Sequence, residues 1–426
     1  MKRIVWCVAV MMLLLCVDAW ALAEEEIYSD GDYEYVLLED GSAKIMSFIG
    51  PDETDEVEIP GELDGHTVTA MDIECFGERW ELTSVTIPDS VTEIEGNSFY
   101  RCRNLQTIEV SPDHPTLAVI DGVLFDKTEK RLLCYPAGLE AAMYQIPQGI
   151  TAIADGAFHF CEKLERVSIP DSVTAIGVYA FANSGLIDVS VPATVTSIGG
   201  GAFCYCTWLR SAVVPDGITA IGDWTFNLCR ALEDVSLPDS LESIGERAFK
   251  DCDSLAQISL PDSLESIGND AFHNCDSLAQ ISLPDSLESI GERAFADCDS
   301  LAQISLPDGL TEISFAAFGE CDALEDVNLP DSLESIAGRA FWFCDSLAQI
   351  SLPDGVTSIG WEAFRDCESL TEVTIPGSVS SIGKDAFDGC PEDLVLTVER
   401  DSYASDYARD NGIDYAYEDA DDWLYE

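Results

Sequence analysis

Across most of this chain the hydrophobic and polar positions recur at a fixed spacing of 23 residues. One unit shows the pattern: Leu255-Ala256-Gln257-Ile258-Ser259-Leu260-Pro261-Asp262-Ser263-Leu264-Glu265-Ser266-Ile267. Leu255, Ile258 and Leu260 point inward, and the alternation over Gln257 to Leu260 has the period of a half-buried strand. Pro261 ends that strand, because it has no N–H to give to a longer ladder. Asp262-Ser263 turns the chain, Leu264 and Ile267 begin a second inward segment, and Ala271-Phe272 with Cys275 closes the coil. The registers Ile198 to Ile382, Phe203 to Phe387, Cys206 to Cys390 and Pro192 to Pro376 run without insertion or deletion. A period in the twenties marks a solenoid in which each rung buries its apolar face only against its neighbours. Residue n then lies over residue n+23, with rungs about 4.8 Å apart, and about fourteen rungs span on the order of 65 Å.

The flanks break the period. Residues 24–72 carry Tyr33 to Leu38 and Ala43 to Ile49 around Asp40-Gly41, the pattern of a capping hairpin. Residues 73–391 form the repeat array. One unit, from Ser111 to Pro147, is 36 residues long, and its excess at about 122–135 reads as strand, polar turn, strand: a hairpin protruding from the stack. The unit from Pro170 to Pro192 is one residue short and has Ser184 where its neighbours have cysteine. Residues 392–426 read as a C-terminal cap, with a short helix from Ser402 to Asn411 stopped by Gly412, then an acidic tail.

The unit L-x-x-[IV]-x-[IL]-P-x-[SG]-[LV]-x-x-I-x-x-x-A-F-x-x-C resembles the BspA-like leucine-rich repeat family of bacterial surface and secreted proteins. The leading hairpin, Leu124-Phe125-Asp126 and Ser402-Tyr403-Ala404 are similar to that family's flanking units. The resemblance implies a β-rich leucine-rich repeat solenoid, a right-handed superhelix with a parallel sheet. It also implies a role in adhesion to matrix proteins or to other cells. It carries over no binding residue.

Charge narrows the partners. With 21 basic against 80 acidic residues, the chain repels nucleic acid and anionic membrane. An apolar content of 47% is ample for a core. The N-terminus, residues 1–23, reads as an export signal: Lys2 and Arg3, an apolar run from Ile4 to Val17, then Ala21-Leu22-Ala23. Cys16 suggests a lipid anchor, but Leu15 before it is too large for the usual lipobox. No other apolar stretch reaches the ~20 residues that span a bilayer.

Chemistry is sparse. The cysteine ladder, with Cys252, Cys275 and Cys298 as examples, admits rung-to-rung disulfides in an exported protein. In-register Cβ atoms about 4.8 Å apart are too distant for the ~3.8 Å a disulfide prefers, so the thiols read as buried core residues alongside Phe249, Phe272 and Phe295. Cys204-Tyr205-Cys206 is a lone C-x-C without partner ligands. Asp239, Asp262, Asp285, Asp308, Asp331 and Asp354 after proline, and Asp253, Asp276, Asp299, Asp322 and Asp345 after cysteine, form acidic ladders. The expected role is in the turn, through bonds to nearby backbone N–H groups; bound calcium, which would relieve their repulsion, is the lesser alternative. His66, His114, His159 and His273 are read as falling at unrelated phases, and catalytic motifs are absent. Near-identical rungs are expected to offer no concave pocket. No enzyme activity and no cofactor are expected.

The candidate binding face is the outer side of the sheet. One outward ladder runs Asp234, Gln257, Gln280, Gln303, Asp326, Gln349, Glu372, and a second runs Ser236, Ser259, Ser282, Ser305, Asn328, Ser351, Thr374. Together they make a flat, nearly neutral strip on an acidic protein. Upstream, Arg166, Asp188 and Ser211 break the glutamine pattern, and Trp208, Trp224, Trp342 and Trp361 are each unique to their rung. The strip is expected to bind an extracellular protein or glycan. The alternative is a spacer rod, favoured by the near identity of residues 253–272 and 276–295.

Overall fold

A computed structural model describes residues 26–418, so the expected leader at 1–23 lies outside the described residues. The chain winds as a β-solenoid of about 16 turns with parallel sheets. This exceeds the number counted from the strict period because both flanks supply rungs. Glu56–Glu58 pairs in parallel with Ser84–Ile87, while Val395–Val398 and Asp414–Tyr417 continue the sheet beyond Glu372–Ile375.

Each turn has three sides. The first is the expected strand: Gln257–Ser259 pairs with Gln280–Ser282, Ile258 opposite Ile281. The second is a two-residue strand, with Ser266–Ile267 lying between Ser243–Ile244 and Ser289–Ile290. The third, here called the coil face, runs from Gly268 to Cys275 and is built of turns. On it the N–H groups of Asp270, Phe272 and Asn274 donate to the carbonyls of Glu292, Ala294 and Ala296 on the next rung at 2.8, 2.8 and 2.9 Å. The N–H groups of Ala271 and His273 bond back within their own turn. This alternation needs two left-handed residues per turn, such as Asp270 (φ 51) with Asn274 (φ 58) and Arg293 (φ 55) with Asp297 (φ 57). A non-glycine residue there costs roughly 1 kcal/mol or more, and the bonds to the next rung offset it.

Leu255, Ile258, Leu264, Ile267, Ala271 and Phe272 fill the interior and are buried. The ladder phenylalanines stack as a column from Phe158 to Phe387, with neighbouring centroids 4.8 to 5.7 Å apart. The ladder thiols cross between rungs: Cys275 Sγ donates to Phe249 O and Cys298 Sγ to Phe272 O, both at 3.2 Å. At the turn after proline the bridge differs from the expected aspartate. Ser263 Oγ donates to Leu241 O and Ser286 Oγ to Leu264 O, at 2.6 and 2.7 Å, while the aspartates stand exposed. A hydroxyl one residue further along reaches the rung behind it, where the carboxylate is better solvated.

At the N-terminus Tyr33–Leu37 and Ala43–Phe48 pair antiparallel, and Asp40 Oδ1 accepts from the Ser42 N–H and hydroxyl in the turn. Phe48 stacks on Phe76 at 5.2 Å and so covers the first ladder ring. At the other end the helix Tyr403–Asn411 is capped by Ser402 and stopped by Gly412 (φ 71).

The insertion at 122–135 does not protrude. Leu117–Ile120, Val123–Asp126 and Arg131–Cys134 form an antiparallel meander whose last strand pairs in parallel with Ala152–Ile153. Val123, Leu124, Phe125 and Asp126 are all buried, because a strand apolar on both faces needs cover on both. The inserted unit leaves the coil face uninterrupted. There Asn97 reaches across it, its N–H to Asp155 O at 3.0 Å and its Nδ2 to Gly156 O at 2.7 Å.

The carboxylates after cysteine stack at rung spacing. Burial raises the pKa of Asp253, Asp299 and Asp345, and acids one rung away add to it: Asp276, Asp322 and Asp322 again; Asp297, just before Cys298, is raised likewise by burial and Glu320. A carboxyl whose pKa is higher folded than unfolded binds more protons in the folded state. Its stabilisation is complete below the unfolded value of about 3.9 and is lost as pH rises through the folded value. Glu362, held low by Arg339 and Arg365, works in the opposite sense. Asp299→Asn, which removes one of these charges, is therefore expected to raise the thermal midpoint at pH 8. A flat or falling midpoint would contradict the stacked-carboxylate account.

Candidate functional site

The sheet strip has the geometry its sequence implies. Asp188, Ser211 and Asp234 lie in register on successive strands. So do Gln257 and Gln280, Gln303 and Asp326, and Gln349 and Glu372. All from Asp234 to Glu372 are exposed, as are Ser259, Ser282, Ser305, Asn328 and Ser351, whereas Asp188 and Ser211 are half-buried. Arg166 Nε is 3.0 Å from Asp188 Oδ2, an exposed pair across one rung. Asn328 Nδ2 donates to Ser305 Oγ at 3.0 Å. The strip is narrow, since each strand contributes two outward side chains.

The residues that distinguish one rung from another lie elsewhere. Four units share Asp-Ser-Leu-Ala-Gln-Ile-Ser-Leu-Pro-Asp, starting at Asp253, Asp276, Asp299 and Asp345. They part mainly on the coil face: Asn269-Asp270 and His273 in the first, Glu292-Arg293 and Ala296 in the second, Phe315-Ala316 and Gly319 in the third, Trp361-Glu362 and Arg365 in the fourth. Trp224, Trp342 and Trp361 all belong to this face. Arg339 lies between Trp342 and Trp361, its guanidinium carbon 4.8 and 4.6 Å from their ring centroids, and its Nε donates to Glu362 at 2.7 Å. Trp208 is separate, exposed beside Glu165 and Arg210.

Two histidines also share a phase on this face, contrary to the sequence reading: His159 and His273 each follow a ladder phenylalanine. The short unit between them hides the correspondence. Burial, with Arg101 and Arg103, lowers the pKa of His159 to about 3. Burial, with Lys250 and Arg293, lowers that of His273 to about 4. Both are held neutral.

Nor is the surface free of concavities. A groove of about 770 Å³ runs along the N-terminal half of the coil face, bordered by Tyr100, Tyr179, Tyr205 and Trp224. Periodicity alone conceals it, because it is made by departures from the repeat. Cys204 lines this groove, while Cys206 donates to Phe181 O at 3.1 Å in the core, so the C-x-C cysteines face different surroundings. Among the described residues no group of three or more His, Cys, Asp or Glu side chains is placed to hold a metal ion.

Parallel short strands, a leucine and isoleucine interior and one coil per 23 residues define a leucine-rich repeat solenoid. The profile of the BspA type leucine rich repeat region matches residues 69–207, 140–256, 219–344 and 265–392, and the chain belongs to that family. The fold is similar to the crystal structure of a leucine-rich repeat protein from Bacteroides ovatus, with a TM-score of 0.58 and 24% identity over 93% of this chain and 100% of that one. It is similar also to a leucine rich cell surface protein from Faecalibacterium prausnitzii, with a TM-score of 0.50 and 26% identity over 92% and 99%. No curated protein sequence matches the chain.

Proposed function

We propose that the protein is a non-catalytic interaction protein, secreted or held at the cell surface, that binds a protein or glycan partner through its sheet strip. The observation that carries this reading is the strip itself: from Gln257 to Ser351, exposed amide and hydroxyl side chains, interrupted by Asp326, repeat in register on a rigid support. Such groups supply hydrogen bonds without the desolvation cost of charge. The F. prausnitzii protein is described as a cell surface protein, which supports the location. The export pattern at residues 1–23 supports it too. Among the described residues no helix is long and apolar enough to cross a membrane.

The second reading, a spacer rod, keeps its support from the near-identical units at 253–272 and 276–295. Deleting residues 253–275 removes one whole rung and leaves every other register intact. Pull-down of matrix proteins and cell-wall glycans by the deleted chain is expected to weaken relative to the parent. Pull-down by the quadruple variant Gln257→Lys, Gln280→Lys, Gln303→Lys and Gln349→Lys is expected to weaken as well. Unchanged capture by both favours the spacer.

A further inference from the structure

We infer that a break in the sheet beside Met143–Gln145 takes an added β-strand from a partner polypeptide, one that carries a basic residue among apolar ones. The inference rests on the reading of the chain as a binding protein, but it places the ligand at one rung rather than along the strip.

Elsewhere successive strands of the sheet adjoin. Even where regular pairing lapses, Asp234–Ser236 lies against Gln257–Ser259, and Gln280–Ser282 against Gln303–Ser305. The residue entering a strand bonds to the rung behind it: Gln106 N–H to Thr83 O at 2.9 Å, Arg210 N–H to Ile187 O at 2.7 Å. Met143–Gln145 differs. It pairs in parallel with Arg166–Ser168 ahead of it, and among the described residues no strand pairs with it from behind. The preceding strand, Thr107–Val110, lies instead beside Leu117–Ile120 of the inserted meander. Gly138 N–H still donates to Leu105 O at 2.8 Å, but from Leu139 to Gln145 no further backbone bond reaches that strand among the described residues. Beneath the edge Tyr144 packs on Tyr135, ring centroids 5.1 Å apart. The edge is thus held in place before any partner arrives, which limits the entropy lost on binding.

The pairing on one side fixes which groups are left over on the other. Ala142 O accepts from Arg166 N–H at 3.0 Å, and Ile146 N–H donates to Ser168 O at 3.1 Å. Tyr144 therefore turns its own N–H and C=O to that same neighbour, because bonding alternates along a parallel strand. Met143 and Gln145 turn theirs to the open side, two donors and two acceptors in a row. Such a row is complementary to the backbone of an extended chain. A glycan offers hydroxyls at no such repeat. The edge borders a cleft of about 600 Å³, with Ile120 and Asp121 of the inserted hairpin and Leu139 among its other walls. Met143 and Ile120 are 67% and 43% exposed, so an apolar side chain on the added strand has surface to cover on both walls. Charge narrows the partner further. Asp121 and Glu140 are the charged residues of the lining. Glu140 pairs with Lys163, which leaves Asp121 without a cation among the described residues. A strand with a lysine or arginine placed to meet Asp121 fits, and the chain's 80 acidic against 21 basic residues steer it inward. A second copy of this chain carries the same acidic balance and is repelled.

The test is selection of a phage-displayed random dodecapeptide library on the intact chain, followed by fluorescence polarisation of the enriched peptides. These are expected to alternate apolar and polar residues and to include a lysine or arginine. N-methylation of alternate residues is expected to weaken binding about tenfold or more in one register and little in the other, since a strand bound by one edge uses every second N–H. Gln145→Pro removes an edge donor yet leaves every bond to Arg166–Ser168 in place, a position where a strand tolerates proline. It is expected to weaken the peptides about tenfold or more. Asp121→Asn suits the left-handed turn before Gly122, and is expected to weaken them about fivefold with an unchanged melting midpoint. Gln257→Lys with Gln280→Lys is expected to leave them unaltered. No enriched peptide, N-methylation without effect in either register, or full affinity in both Gln145→Pro and Asp121→Asn overturns the inference. So does self-association in analytical ultracentrifugation that Gln145→Pro abolishes, because it gives the edge to a second copy. Each of these outcomes leaves the sheet strip to be judged by its own pull-down.

Discussion

Phe272→Ala is expected to lower stability by about 3–5 kcal/mol, seen as a large fall in the denaturation midpoint. Phe272 is fully buried, and its ring sits between Phe249 and Phe295, each centroid 5.3 Å away with the planes within 4°. Removing it strips contacts from both neighbours and opens a void that backbone hydrogen bonds to the next rung keep from collapsing. A solenoid has only nearest-neighbour interfaces, so the loss also uncouples the rungs on either side. The denaturant slope should fall with the midpoint as the array begins to unfold in parts. An unchanged midpoint would remove the ring column from the account of stability.

The second large effect concerns the thiols. In native protein purified without reductant, a disulfide-forming reagent at pH 8 is expected to reach at most Cys390, the half-buried member among the fourteen cysteines from Cys75 to Cys390. After unfolding in urea all fourteen should react. Burial raises the pKa of Cys252, Cys275 and Cys298 well above the ordinary thiol value, so little nucleophilic thiolate forms. Each thiol is also engaged: Phe226 O accepts from Cys229 N–H at 3.1 Å and from Cys252 Sγ at 3.3 Å, so one carbonyl joins two rungs. At position 184 serine takes the place, its hydroxyl 3.3 Å from Cys206 Sγ. A count near zero after unfolding would show that the ladder is oxidised.

What could be read from the chain was whatever the period repeats. Ile258, Phe272 and Cys275 announce their burial because each has copies at the same step, and Asp40-Gly41 and Ser402 with Gly412 carry local turn and cap signals. The coil face was not legible, because its backbone depends on left-handed residues as varied as Arg247, Asp251 and Trp224, and no composition marks such a position. Its order comes from bonds to the next rung, which exist only once the rungs stack. The hairpin at 122–135 misled for a related reason. Strand and turn were evident, but whether Phe125 lay inside depended on the neighbouring sheet. The groove was missed because it arises from Gly200 and Gly201, where the adjoining rungs carry Val178-Tyr179 and Asp223-Trp224, and from a skipped contact between two other rungs, neither of which is periodic.

The two ends of the ring column bear on assembly. From Phe181 to Phe364 each rung presents one phenylalanine face to the rung above and another to the rung below, and these faces are complementary by construction. Left bare, the first and last rungs would match each other across molecules in a head-to-tail contact that never closes on itself. Phe48 covers the first, and Tyr407, 6.2 Å from Phe387 and set at 64° to it, covers the last with a ring turned out of the stack. A nine-residue helix thus separates a molecule of fixed length from a filament.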